Sequence, residues 1–302
     1  MNFLKSSYKR QEKEFKSKIK KNSLKKAFDD FFEKGTVRRW KYERIANNLV
    51  PLFKIFPKSY WLTIGDGRFG EDAEFIQSKG ISVTASDISD YLLKYSKEKG
   101  KIKEIRKENA EKISLKDDSV DFTFCKEAYH HFPRPYIAVY EMLRVSKEGI
   151  ILIEPTDYNI DQNLLKQIIL KILKIPFERG GIKITREGFE SVGNYIYRIS
   201  KREIRKIATG MDFPYIAFKG INDYNWKSKD ANFQEKVNSK SKTYNKTKKM
   251  LELLNFLSKM KMLSENLTMA IIFKKELNKK QIKLLELNGF EVIELAKNPY
   301  LK

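Results

Sequence analysis

Between residues 60 and 154 the chain alternates short apolar runs with amphipathic ones, and this rhythm restricts its fold more than any other feature. Tyr60–Ile64 reads as a strand leading into Gly65-Asp66-Gly67-Arg68-Phe69-Gly70, with a helical pattern over 71–79. Ile81–Ser86 predicts a second strand, ending at Asp87, and 89–99 a second helix. Ile102–Arg106, Val120–Cys125 and Gly149–Glu154 predict three further strands, with a helix through Tyr136–Val145. Strands and helices alternating in units of about 30 residues imply an α/β fold, a parallel sheet covered on both faces.

Outside that region the pattern is different. Residues 1–33 read as amphipathic helix, with Phe15, Ile19, Phe28 and Phe32 at helical spacing, and Gly35 ends it. A second helix is expected over 37–55, with Ile45, Leu49, Leu52 and Phe53 on one side and a kink at Pro51. Its first turns hold Arg38-Arg39-Trp40-Lys41-Tyr42, which suits either a packed helix or a lid over a ligand. After Pro155 come a helix over Gln162–Leu173, a glycine-containing loop over 176–185, a helix over 200–210 capped by Ser200, and a strand at Tyr215–Phe218. Lys227–Lys249 is polar and low in complexity, an exposed helical or flexible insertion. A helix over 250–261, a strand at 268–274, a helix over 279–287 and an extended piece at 290–295 complete the chain.

Composition excludes several classes. Cys125 is the only cysteine, so neither an intrachain disulfide nor a thiolate metal cluster can form. With His130 and His131 the only histidines, no metal site is expected. The lysine-studded N-terminus lacks the apolar stretch of a secretory signal. No run reaches the ~20 apolar residues of a membrane span; the nearest, at 167–177, is broken by Lys171, Lys174 and Pro176. A cytoplasmic protein is expected. The net charge of +22 invites nucleic acid, but only thirteen of the 61 basic residues are arginine. Phosphate and base readers favour arginine for its planar fork of donors, so a nucleic-acid partner is not the favoured reading.

A glycine-rich turn between strand and helix lets a ligand approach the backbone and offers free amides at the helix start. Gly65, Gly67 and Gly70 satisfy G-x-G-x-x-G, which alone suits any adenosine-bearing cofactor, a nicotinamide dinucleotide included. Asp87 follows Gly65 by 22 residues, at a strand end where a carboxylate can accept from ribose hydroxyls or cap the next helix.

Five segments in order then resemble one family, the class I S-adenosylmethionine-dependent methyltransferases. They are Trp61–Gly70 (WLTIGDGRFG), the run from Val83 (VTASDIS), Glu108–Asp121 (ENAEKISLKDDSVD), the run from Cys125 (CKEAYHHFPRP) and Glu141–Pro155 (EMLRVSKEGIILIEP). The likeness spans about residues 58–156 and is strongest to the group containing the ubiquinone and menaquinone methyltransferases. It implies a Rossmann-like, doubly wound, seven-stranded and mostly parallel sheet. An N-terminal helical cap (1–57), a cofactor-binding half (58–156), the rest of the sheet with acceptor-side insertions (157–276) and a helix–strand extension (277–302) would make up the chain.

The resemblance also implies S-adenosyl-L-methionine as cofactor, held by Gly65, Asp66, Gly67, Gly70, Asp87, Ile88, Asn109, Ala110 and Lys126. Three positions depart from the family pattern: Thr63 stands where an acid is usual, Phe69 at the third glycine, and Asn109 for the usual Asp. Candidates for deprotonating an acceptor are His130, Glu127 and His131, just past the fourth strand; Tyr129 would face either the sulfonium or the core. Phe177, Phe189, Tyr195, Tyr197, Tyr215, Tyr224 and Trp226, with Arg179 and Arg186, are expected to wall the acceptor site. An aromatic, cationic wall suits a sugar, a phosphate-bearing carrier or a ring; an extra hydrophobic subdomain is the alternative. The segment from Glu190 (ESVGNYIYRISKRE) and the ending Lys297-Asn-Pro-Tyr resemble methyltransferases of bacterial surface-polysaccharide assembly. An RNA methyltransferase, or a cofactor-binding protein without catalysis, are the alternatives.

Overall fold

A computed structural model describes residues 3–10, 23–157, 188–189 and 194–300. The helix expected over 162–173, the loop at 176–185, and Phe15, Ile19, Phe177, Arg179 and Arg186 lie outside the described residues.

Eight strands form one sheet: β1 (Tyr60–Ile64), β2 (Ser82–Asp87), β3 (Glu104–Lys107), β4 (Val120–Lys126), β5 (Ser146–Pro155), β6 (Tyr215–Ile221), β7 (Leu267–Phe273) and β8 (Glu291–Glu294). Their order is β3-β2-β1-β4-β5-β7-β6-β8. The first five pair in parallel, while β7 runs antiparallel to β5 and to β6. The chain reverses direction in the sheet at the β1/β4 boundary, the switch point at which open α/β sheets bind ligands. The expected seven strands become eight because the extended piece after residue 290 pairs with β6.

Side chains alternate across a strand, so each strand feeds two cores. Trp61, Val83, Ala85, Phe122, Phe124, Ile151 and Ile153 pack on one face; Leu62, Ile64, Cys125, Ile150 and Leu152 pack on the other. The first face carries helices α2 (Val37–Ala46), α3 (Val50–Ile55), α4 (Glu71–Ser78) and α9 (Lys279–Leu287). The second carries α6 (Pro135–Val145) and α7 (Lys201–Gly210), whose start is a reciprocal capping box between Ser200 and Glu203. The helix expected over 37–55 is divided by a 3-10 turn at Asn47–Leu49, and Pro51 sits in the first turn of α3, where its missing N–H leaves no bond unmade.

One stretch is more ordered than its composition suggests. The polar stretch 227–249 is anchored rather than loose. Val37 and Arg38 donate backbone bonds to Glu235 and Phe233, and Val237 donates to Gly35. From Lys242 it is already helix α8 (Lys242–Lys259), continuous with the helix expected only from 250. Because β6 ends and β7 begins at the same edge as the C-terminal ends of β1, β2, β4 and β5, the connection 222–266 leaves and re-enters the sheet at that edge.

Candidate active site

The C-terminal strand ends bring together the Gly65–Gly70 loop, Asp87, the turn from Lys126 to His131, and Glu154. Gly65 and Gly67 are required by close approach. A Cβ on Gly65 would lie 2.4 Å from the Ala128 Cβ, and one on Gly67 2.6 Å from the Asp87 carboxylate. Gly70 has the left-handed φ of +70°, with Ile102 over it.

Phe69, at the usual third glycine, takes a left-handed φ of 63° that costs a non-glycine residue about 1 kcal/mol. Its ring is seized by the cap: α1 (Leu24–Phe32) sets Phe28, Phe31 and Phe32 at 5.5, 5.3 and 6.4 Å from it. Such aromatic contacts are each worth about 0.5–1.5 kcal/mol, enough to hold the strained turn. The departure from glycine thus serves to dock α1 on the loop.

Thr63, where an acid is usual, bonds instead to the acid three residues later. Asp66 accepts from Thr63 Oγ1 at 3.0 Å and from the backbone N–H of Ala73 and Asp72 at 2.9 and 3.2 Å, capping α4. Its carboxyl therefore points into the fold, and only its backbone remains with the loop. Burial pushes Asp66 and Asp72 upward, and the Asp72 charge pushes Asp66 further. Lys126 lies 3.5 Å from Asp72. Burial alone would lower this lysine, but Asp72, then Glu127, Glu71 and Asp66, hold it above the ordinary value. Tyr42 donates to Asp72, and Arg38 grips Glu71 with both terminal nitrogens. Arg39 reaches Glu43, Glu71 and Glu74, and Lys41 lies 3.3 Å from Asp223. The cationic and aromatic start of α2 is thus packed on the domain. Lys126 joins that network.

Asp87 ends β2 almost completely buried. Ser89 N–H donates to its Oδ1 at 2.8 Å, and the Gly67 N–H is a second backbone donor. Burial pushes the carboxyl up to about 6 despite both bonds. A carboxylate has about four acceptor positions, so two remain for a ribose diol. The Ser89 bond closes an Asx turn rather than capping a helix, because the next helix begins only at Tyr91, with Asp90 at its N-cap. Ile88, beside it, is half-buried. Asn109 Oδ1 accepts from Glu111 N–H at 3.0 Å, one of its two lone pairs, and Ala110 is buried against Ile113 and Phe132 of the second core.

At the β4 exit, Glu154 is fully buried and organises the turn. It accepts from Ala128 N–H at 2.8 Å and Tyr129 N–H at 2.9 Å, and its other oxygen lies 2.7 Å from His130 Nδ1. A carboxylate partner places the ring proton on Nδ1. Glu127 is held at a left-handed φ of 49°, with its N–H bound to Ile153 and its side chain 37% exposed. The His131 ring lies 4.1 Å from that of His130, and Asn194 donates to the His131 carbonyl. Glu154 was legible only as part of a motif; its role depends on contacts 24–26 residues back along the chain.

The expected aromatic wall separates. Phe189, Tyr195 and Tyr197 form a ladder that continues through Tyr136 to Tyr129, a buried phenol whose pKa is held up by burial. Tyr215 lies at the opposite end of the sheet, paired with Phe273. Tyr224 packs in a small cluster with Leu254, Leu257 and Leu263, and Trp226 stands beside Lys246. Strand register, invisible in composition, sends them apart. Above the crevice, the helical segment 3–10 joins both rims: Tyr8 donates to Glu111, and Ser7 to Asn194. No His, Cys, Asp or Glu cluster suited to a metal occurs among the described residues.

Known proteins share this fold. Residues 62–153 match the profile of a family described as a methyltransferase domain. Among solved structures, one from Galdieria sulphuraria, assigned as a sarcosine dimethylglycine methyltransferase, aligns with a TM-score of 0.52 at 15% identity, over 84% of this chain and 98% of its own. An S-adenosylmethionine-dependent methyltransferase from Archaeoglobus fulgidus aligns over 77% and 94%, at 18% identity and a TM-score of 0.47. No curated protein sequence matches.

Proposed function

We propose that this chain, a class I S-adenosylmethionine-dependent methyltransferase, methylates an oxygen of a sugar or other small-molecule acceptor. The observation that carries the acceptor side is the His130–Glu154 pair at the β4 exit, beside the Tyr129–Tyr195 ladder. S-adenosylmethionine, when bound, supplies an electrophilic methyl group on a sulfonium. The chain's part is to position, to exclude water and to move one proton. Asp87 would accept from the ribose hydroxyls, the Gly65–Gly70 backbone would face the atoms beside them, and Ile88, Asn109 and Ala110 would hold the base. The segment 3–10 covers the crevice. An oxygen acceptor must lose its proton during transfer. His130, oriented by Glu154, accepts that proton; Glu127 is the other group at the same turn.

His130→Gln is expected to lower kcat by about 10²–10⁴ while S-adenosylhomocysteine affinity stays within twofold. Turnover at the wild-type rate would move the proton to Glu127 or show that no base is used. The acceptor class is tested by screening sugars and nucleotide sugars for methyl incorporation against RNA. Incorporation into RNA alone would contradict the small-molecule reading.

Asp87 also predicts a pH dependence. Its folded pKa of about 6 lies above the ordinary carboxylate value, so it takes up a proton as pH falls through about 6. The protonated form loses acceptor capacity, and affinity for S-adenosylhomocysteine is expected to fall with it. Titration calorimetry across this range should give a falling affinity in the wild type and a flat profile in Asp87→Asn. A flat wild-type profile would show that the Asp87 charge takes no part.

A further inference from the structure

Helix α8, in the connection from β6 to β7, carries an unusual exposed stripe. Lys242, Lys246, Lys249, Leu253, Phe256 and Met260 follow one another at spacings of four and three, which places them on one helical face about 27 Å long. The first half of the stripe is cationic. Together with Lys240 and Trp226 it lines an open groove of about 660 Å³. None of these four lysines has a carboxylate within ion-pair distance among the described residues. The second half is apolar and open to solvent: Leu253, Phe256 and Met260 are 44%, 60% and 58% exposed, and Met262 just beyond is 38% exposed.

We propose that this stripe, with Trp226, docks the ligand-facing edge of the sheet onto an anionic lipid surface. The lysines alone would suit any polyanion, but a phosphate backbone offers nothing to Leu253, Phe256 and Met260. A lipid surface uses both halves. The apolar side chains enter the acyl boundary, the lysines meet headgroup phosphates, and Trp226 occupies the interface where its ring is favoured. A second copy of the chain is the poorer occupant: each protomer carries a net charge of +22, and a twofold contact would set lysine rows close together. No helix among the described residues is long and apolar enough to cross a membrane, so α8 lies on the surface. The insertion is pinned to α2 by the backbone bonds at Val37, Arg38 and Val237, so the lipid would meet the same edge that holds the active site. This surface is independent of the assigned chemistry, and either can fail without the other.

Flotation with phosphatidylcholine vesicles, with and without phosphatidylglycerol, tests it on the full chain. Binding is expected only to the anionic vesicles. It should weaken about tenfold in the triple variant Lys242→Glu, Lys246→Glu, Lys249→Glu, and again in Leu253→Ser, Phe256→Ser, Met260→Ser. Unchanged S-adenosylhomocysteine binding and circular dichroism show that both variants fold. No flotation, or equal flotation with neutral vesicles, overturns the proposal. An apolar variant that floats like the wild type overturns it in favour of a polyanion. A wild-type dimer that the apolar variant dissolves, with flotation unchanged, overturns it in favour of a second copy.

Discussion

Replacing Glu154 with alanine is expected to destabilise the chain by about 4 kcal/mol and lower its melting temperature by ~10 °C. The reason lies in how many groups depend on one side chain. Glu154 is 0% exposed and accepts the backbone N–H groups of Ala128 and Tyr129 while facing His130 Nδ1. Its removal leaves three buried donors, each costing about 1–3 kcal/mol when unmade, and water entering the cavity recovers part of that. Glu154→Gln keeps the volume and one acceptor but turns an amide toward donors, so an intermediate loss is expected. Thermal melts by circular dichroism measure both. A melting temperature unchanged in Glu154→Ala would mean that the turn is held by packing alone. The turn also carries every candidate base, so the alanine variant should lose turnover beyond its loss of fold.

Gly67→Ala is expected to weaken S-adenosylhomocysteine binding roughly 30- to 150-fold, or about 2–3 kcal/mol, and to lower stability by about 1–3 kcal/mol as buried backbone donors lose Asp87. Gly67 has no left-handed φ, so alanine suits its backbone. What the new Cβ meets, at 2.6 Å, is the Asp87 carboxylate. The short side chain must swing away, and with it goes the acceptor for the ribose hydroxyls. The two substitutions remove the same interaction, so they should not add. In an Asp87→Ala background, Gly67→Ala should cost a few-fold at most. Full additivity, read by calorimetry on the four proteins, would place the ribose elsewhere.

The sequence carried the sheet well where side-chain period and turn chemistry act locally. β1 falls on Tyr60–Ile64, and Asp87 closes β2, because apolar runs bounded by glycine turns leave few alternatives. Five ordered segments narrowed a glycine loop that alone suits many cofactors. What could not be read depends on distant contacts. Phe69 looked like a defect in the loop; its partners are rings of α1, some forty residues earlier. Lys126 lies 3.5 Å from Asp72 and 5.1 Å from the Tyr42 ring, contacts that its place in the sequence does not reveal. The insertion at 227–249 reads from composition as exposed helix or flexible chain; its second part is helix from Lys242, and backbone bonds to α2 fasten its first. Tyr215 was grouped with Tyr195 by composition, and strand direction separates them.

The central claim is that the Gly65–Gly70 loop and Asp87 form an S-adenosylmethionine site. Titration calorimetry of the folded chain with S-adenosylhomocysteine, and separately with NADH, tests it most directly. The account predicts one S-adenosylhomocysteine bound per chain, weakened by Asp87→Ala, and no heat with NADH. A folded sample that binds NADH, or that ignores S-adenosylhomocysteine, would contradict it.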